Sequence, residues 1–293
     1  MRILVGTAGW ADSSLISSGW YPAGVRTPAG RLSHYAGRFP LVEADSPFYA
    51  IPRESTVLGW ADSCPESFVM DVKAYSLLTG HRTRAASLPA DLRELAAGTW
   101  IATAGAPRGL LDAAWLRFHE SLEPLRRSGR LGLVVLQFPP ACTAGPRGAR
   151  WVREALERCA PLQAAVEFRH GSWLTPENRE RALELLRAHG AAFVCVDMPQ
   201  AHEGAVPPVV AATAGKAVIR LHGRSEAWAG GDKEDRYRYE YPAGELDWWA
   251  DRARDLSRLA DEVHVVVNTC CAGAAQRAAA GLRDRFSGPP ATG

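Results

Sequence analysis

A closed barrel of eight parallel strands wrapped by helices is the fold that this sequence predicts. Three observations carry the prediction. Eight short apolar segments rich in β-branched residues recur along the chain, often closed by Gly or Pro. Helical patterns separate most of them. The segments are apolar along nearly their whole length, as in a parallel sheet covered by helices. Eight such strands suit closure into a TIM-like (β/α)8 barrel, an α/β architecture that uses about 250 residues as a single domain.

The elements follow in order. The first strand is Arg2–Thr7, and Trp10 and Trp20 fall in the connection after it. Leu41–Ser46 forms the second strand, followed by a helix over Glu54–Asp62, and Phe68–Ala74 forms the third. The longest gap, Tyr75–Arg130, holds helix-like stretches at Pro89–Ala97 and Asp112–Arg127, and reads as an elaborated connection between strands three and four. Strand four is Leu131–Phe138, then a helix over Arg150–Cys159, strand five at Gln163–Arg169 and a helix over Glu177–His189. Strand six is Ala192–Met198 and strand seven is Ala217–Gly223. The charged, tyrosine-bearing run Glu226–Tyr241 reads as a mobile loop able to close over a ligand. A helix over Glu245–Leu259, strand eight at His264–Thr269 and a helix over Ala274–Arg285 complete the pattern. Residues 1–286 are expected to be one domain, and Ser287–Gly293 a disordered tail.

Composition narrows the function classes. Hydrophobic residues make up 47% and charged residues 23% of 293, which excludes intrinsic disorder. The formal net charge is +2, with acids interspersed among arginines, so there is no basic stripe of the kind a strong nucleic-acid binder displays. Six cysteines include no CxxC pair, which leaves no zinc-ribbon or thioredoxin-like motif. The vicinal Cys270-Cys271 pair follows strand eight and reads as packing rather than chemistry. The chain opens on a strand, without a signal-peptide pattern, and has no apolar run of about 18 residues. A cytoplasmic protein without membrane attachment is expected; the oligomeric state is open.

Side chains alternate across a strand, so residues of one parity share the barrel interior. Polar residues gather where strands end: Glu43 and Asp45, Lys73, Gln137, Glu167 and Arg169, Asp197, Arg220 and His222, and Asn268. Charges are rarely buried without partners, and in this fold the C-terminal mouth carries function. These residues are therefore expected to converge at one rim, either as a catalytic site or as an ion-pair network closing the barrel.

The leading expectation is an enzyme of the hydrolase or lyase type, using acid–base chemistry on a small substrate bearing phosphate or carboxylate. Arg169, Arg220 and Arg224 would hold the anion through planar, bidentate guanidinium groups. Glu167, Asp197 and His222 would move protons, while Lys73 and Asn268 stabilise developing negative charge. Glu43, Asp45 and Gln137 complete the polar lining, and Trp10 and Trp173 are expected to supply aromatic contacts to the substrate. The alternatives are a metal-dependent phosphodiester hydrolase acting on nucleic acid and a non-catalytic ligand- or nucleic-acid-binding module. The carboxylates and His222 would suit a hard divalent cation, but no HxH or HExxH spacing supports one, so no metal ligand is assigned and any cofactor is left open.

The blocks Gly6-Thr7-Ala8-Gly9-Trp10, Glu43-Ala44-Asp45-Ser46-Pro47-Phe48-Tyr49, Val72-Lys73 and Leu136-Gln137-Phe138-Pro139-Pro140 carry a resemblance. So do Val166-Glu167-Phe168-Arg169-His170-Gly171-Ser172-Trp173, Asp197-Met198-Pro199, Arg220-Leu221-His222-Gly223-Arg224 and Asn268. Over nearly its whole length the chain resembles the YecE-like proteins, domain of unknown function seventy-two. The resemblance implies a TIM-like barrel and supplies no reaction. Barrels of this type have been likened to endonuclease IV and xylose isomerase, whose histidine-rich metal cluster has no counterpart in this sequence. Relatives often place a second Asn after the strand-eight Asn, where this chain has Thr269.

Overall fold

The computed structural model describes residues 1–96, 98–102, 106–202, 204–230 and 232–287. Eight parallel strands close into a barrel: β1 Arg2–Ala8, β2 Leu41–Ala44, β3 Val69–Lys73, β4 Leu131–Gln137, β5 Ala164–Glu167, β6 Ala192–Asp197, β7 Lys216–Leu221 and β8 Glu262–Val267. They stand in sequence order around the ring, with β8 hydrogen-bonded to β1. Most strands stop a residue or two short of their expected ends. In β2 the cause is local, because Ser46-Pro47-Phe48 folds into a 3-10 turn and Pro47 has no amide to donate.

Helices α1 Ser13–Ser17, α2 Pro28–Ala36, α3 Glu54–Asp62, α4 Arg108–Arg127, α5 Pro146–Cys159, α6 Arg179–Ala188, α7 Lys233–Tyr237, α8 Ala243–Ser257 and α9 Ala274–Ser287 lie in the connections. Capping sets two of the starts. Asp12 accepts from the Leu15 amide and Thr27 from the Gly30 amide, with Pro28 at the first position of α2. The buried Tyr35 hydroxyl then ties α2 to the barrel, accepting from the Thr7 amide and donating to the Leu41 carbonyl.

Three segments differ from expectation. Pro89–Ala97 is a 3-10 stretch over Ala90–Leu95, and Ala97 lies outside the described residues. A short antiparallel ribbon of Thr83–Arg84 and Trp100–Ile101 brackets it in the chain. The described residues between β6 and β7 contain no helix, in a stretch carrying Pro199, Pro207 and Pro208. The run Glu226–Tyr241 is more ordered than a loop, with a 3-10 turn over Glu226–Ala229 followed by α7. At the end of the chain, Ser287 closes α9, and residues 288–293 of the expected tail lie outside the described residues.

The wide apolar layer lies between strands and helices, where Val5, Val72, Val166, Ile219 and Val265 are buried. Inside the barrel, Leu4, Leu41 and Val266 form a small separate apolar plug. Beside the plug, where His264 pairs in register with Leu4, His264 Nδ1 lies 2.8 Å from Asp71 and its Nε2 lies 2.8 Å from Glu262, the first residue of β8. Against the pull of burial, Asp71 and Glu262 raise the His264 pKa to about 9. Gly132 makes room for this cluster, since a Cβ there would stand 2.2 Å from Asp71 Oδ1. Above the plug begins the polar mouth.

Candidate functional site

Register decides which polar residues meet. Arg220 pairs with Val266 and Val196 across the neighbouring strands, and Glu167 pairs with Gln137. Partners in a parallel sheet share a face. Glu43, Lys73, Gln137, Glu167, Arg220 and, just past the strand ends, Arg169, His222 and Asn268 converge above the apolar plug.

At the centre lies Arg220, fully buried. Its Nη1 donates to Glu167 Oε2 and its Nη2 to Glu43 Oε1. Glu167 is saturated. Its Oε1 accepts from Gln137 Nε2 at 2.8 Å and Arg169 Nη1 at 2.9 Å, and faces His222 Nε2 at 3.0 Å. Burial pushes the Glu167 pKa up, but Arg220, His222 and Arg169 together hold it well below the ordinary carboxylate value. Glu43 is coordinated differently. Arg220 serves one oxygen, while Oε2 is buried and has no hydrogen-bond partner among the described residues. Burial outweighs the pull of Arg220, and the pKa of Glu43 is raised to about 7.

His222 is a neutral, oriented ring. Burial lowers its pKa to about 4 despite Glu167. Asn268 Nδ2 stands 2.9 Å from Nδ1. Donation from Asn268 to Nδ1 leaves the proton on Nε2, directed at Glu167. Gly223, with φ +81°, follows His222 just past β7, and a Cβ there would stand 2.5 Å from Tyr239.

Above these residues opens a cavity of about 260 Å³ lined by Asp45, Lys73, Tyr49, Tyr237, Asn268 and Thr269, among others. Lys73 Nζ is 3.2 Å from Asp45 and 4.4 Å from the centre of the Phe48 ring. Arg169 rests over Trp228 at 5.3 Å, and Tyr237 meets Trp228 edge-on.

Four expected site residues stand elsewhere. Asp197 pairs in register with Leu221, so it faces outward, while Val196 shares the interior with Arg220. There Asp197 accepts from Tyr241 at 2.7 Å and from Arg224 at 2.9 Å, and Arg224 also reaches Glu245. This pair lines a second cavity, on the far side of Trp228 with Met198, Pro208 and His202. Trp10 and Trp173 line neither of these two cavities. Trp10 is buried edge-on against Trp60, and Trp173 stacks on Phe168 and donates to the Cys142 carbonyl. Both belong to the packing.

Other residues at the mouth were missed in the sequence. His81 packs edge-on against Phe48, and burial with Lys73 and Arg169 nearby lowers its pKa to about 4. Tyr237 covers His222 at 6.2 Å. Both lie in long connections with no period to betray them. Among the described residues no group of three or more His, Cys, Asp and Glu is disposed to hold a metal ion. Among them, too, no helix is long and apolar enough to cross a membrane.

Comparison with known proteins agrees with this architecture. A family described as "Protein of unknown function DUF72" matches residues 4–291. The chain is 32% identical to the UPF0759 protein YunF of Bacillus subtilis (strain 168), over 92% of this chain and 90% of that one. A crystal structure of a DUF72 family protein from Thermotoga maritima MSB8 superposes with a TM-score of 0.79 at 26% identity, covering 98% of this chain and all of the other. One from Enterococcus faecalis V583 gives 0.79 at 23% identity, covering 98% and 96%, and speaks for the fold alone.

Proposed function

The chain belongs to the DUF72 family, and from that premise we propose that it is an enzyme performing acid–base chemistry on a small substrate with a phosphate or carboxylate group. One observation carries the reading: two buried carboxylates share the Arg220 guanidinium, and only Glu167 is fully coordinated. Two titratable groups whose surroundings drive their pKa values apart mark an acid–base assignment. Glu43, with an open oxygen and a pKa of about 7, is the proton carrier. Glu167 remains ionised and acts as a positioning residue that fixes Arg169, Gln137 and His222.

The substrate's anionic group sits between Lys73 and Arg169, whose donors are fixed in advance by Asp45 and Glu167. Glu43 lies beneath the cavity floor, beside Ala8 in register and two residues before Asp45, both of which line the cavity. A substrate carbon acid or hydroxyl resting on that floor gives its proton to Glu43 Oε2. Asn268 donates to His222 and keeps its ring from turning. Asp197 and Arg224 take no part, because they face the other cavity.

The reading is tested with a panel of small phosphates, carboxylates and uncharged polyols, scored by thermal shift and by turnover in the wild type and in Glu43→Gln. Stabilisation is expected from anionic members only, with Glu43→Gln retaining the shift and losing turnover. Equal stabilisation by polyols, or wild-type turnover in Glu43→Gln, overturns it.

A further inference from the structure

We infer that Cys270 and Cys271 form a reversible redox pair whose oxidation loosens the segment roofing the mouth cavity. The inference stands apart from the acid–base reading, since it concerns access to the cavity and not the chemistry in it. Of the six cysteines, Cys64, Cys142, Cys159 and Cys195 are buried, and only Cys270 and Cys271 are partly exposed. Both line the mouth cavity, and their sulfurs stand 2.7 Å apart. Proximity, accessibility and a shared cavity wall thus coincide at one pair.

The backbone around them is specialised. Cys271, Ala272 and Gly273 follow one another with φ of 78°, 50° and 77°. Two of these are not glycine, and left-handed conformations in such residues persist only where the surroundings impose them. What surrounds them is the roof. The Cys270 amide donates to the Tyr237 carbonyl at 2.8 Å, Arg238 and Cys270 form an isolated bridge, and Cys270 Sγ donates to the Glu234 carbonyl at 3.2 Å. Helix α7 carries Tyr237 over His222 and is therefore fastened to the barrel at Cys270. Burial raises the Cys270 pKa to about 12, so at neutral pH the sulfur keeps the proton that it donates to Glu234.

Oxidation removes that donor. A hydroperoxide converts the Cys271 thiol, the one that does not hold the Glu234 carbonyl, to the sulfenic acid, its O–O bond breaking as water or an alcohol leaves. The adjacent thiol displaces the sulfenic oxygen as a second water and forms the S–S bond. The two sulfurs give up two electrons and two protons, and the peroxide takes them up. Adjacent Cα atoms lie about 3.8 Å apart across a trans peptide, less than most disulfides span, so the bond is strained and easily reduced. Reversibility follows from that strain.

The test treats the full-length protein with hydrogen peroxide, then with dithiothreitol, and reads peptide masses and amide exchange. The peptide Leu259–Arg277 is expected to lose two hydrogens and regain them on reduction, while exchange across Lys233–Tyr237 quickens by about twofold or more, the weight of one lost weak hydrogen bond. Cys271→Ala keeps the Cys270 donor, so it should show slow exchange before treatment and no disulfide after it. A Cys270→Ser/Cys271→Ser variant should lack both responses. Failure of the peptide to lose two hydrogens overturns the inference. So does a disulfide that leaves exchange unchanged, or an exchange response that persists in the double variant.

Discussion

Glu43 and Glu167 flank a single buried guanidinium, that of Arg220, yet Glu167 meets four donor groups and Glu43 meets one. The barrel produces the difference. Glu167 ends β5 next to Gln137 of β4 and below Arg169 and His222, whereas Glu43 pairs in register with Ala8, which offers no side-chain donor.

Arg220 should be the most costly residue of the mouth to remove. Arg220→Met leaves two buried carboxylates without their shared cation, a loss of about 3–5 kcal/mol. Chemical unfolding at neutral pH checks this, and the loss should shrink in acid as the carboxylates take up protons. A loss below about 1 kcal/mol would contradict the burial of a linked pair.

Stability against pH should show two opposed contributions. Glu43 has a folded pKa of about 7, above its ordinary 4.5, so its contribution is complete below 4.5 and is lost as pH rises through 7. His222 has a folded pKa of about 4, below its ordinary 6.5, so its contribution is complete above 6.5 and is lost as pH falls through 4. Between about 4.5 and 6.5 the two oppose each other. Glu43→Gln should therefore uncover a rise of stability with pH in that window, at most about 1.4 kcal/mol per pH unit for one proton. An unchanged profile in the variant would count against the raised Glu43 pKa.

The His264 cluster shares no hydrogen bond with Glu43, Glu167 or Arg220 and should behave independently of them. His264 has a folded pKa of about 9, so its contribution is complete below 6.5 and is lost as pH rises through 9. Imidazole resonances should show His264 protonated at neutral pH. Asp71→Asn should abolish that protonation and destabilise by about 3 kcal/mol, with ligand affinity at the mouth unchanged. A neutral His264 at pH 7 would refute the assignment.

The two cavities should separate in binding. Lys73→Met removes a charged donor from the mouth and should weaken an anionic ligand about tenfold or more. Arg224→Met, across Trp228 on the other side, should leave the affinity within about twofold, since it makes no contact with the mouth cavity. Calorimetry with an anionic ligand found in the panel measures both. Equal losses would mean one joined site.

Much of this was legible in the sequence, and the remainder failed for identifiable reasons. Alternation along strands placed Glu43, Lys73, Glu167 and Arg220 inside, because period-two patterning needs no partner to be read. The strand-end position of Asp197 points to the mouth, but its face depends on register with β5 and β7, and a one-residue difference turns a side chain to the opposite side. Trp10 and Trp173 follow strands that end at the rim, yet their rings fold back against Trp60 and Phe168. His81 and Tyr237 arrive through irregular connections whose paths no local pattern records. The unequal coordination of Glu43 and Glu167 is a three-dimensional property with no sequence signal.

The most direct measurement is a site-resolved titration of the glutamate carboxyls, by carbon NMR or infrared difference, with Glu43→Gln and Glu167→Gln as assignments. A carboxyl that titrates near 7, vanishes in Glu43→Gln and survives in Glu167→Gln is the predicted result. A Glu43 fully ionised at pH 5, or a Glu167 that takes its proton first, would contradict the division of roles between them.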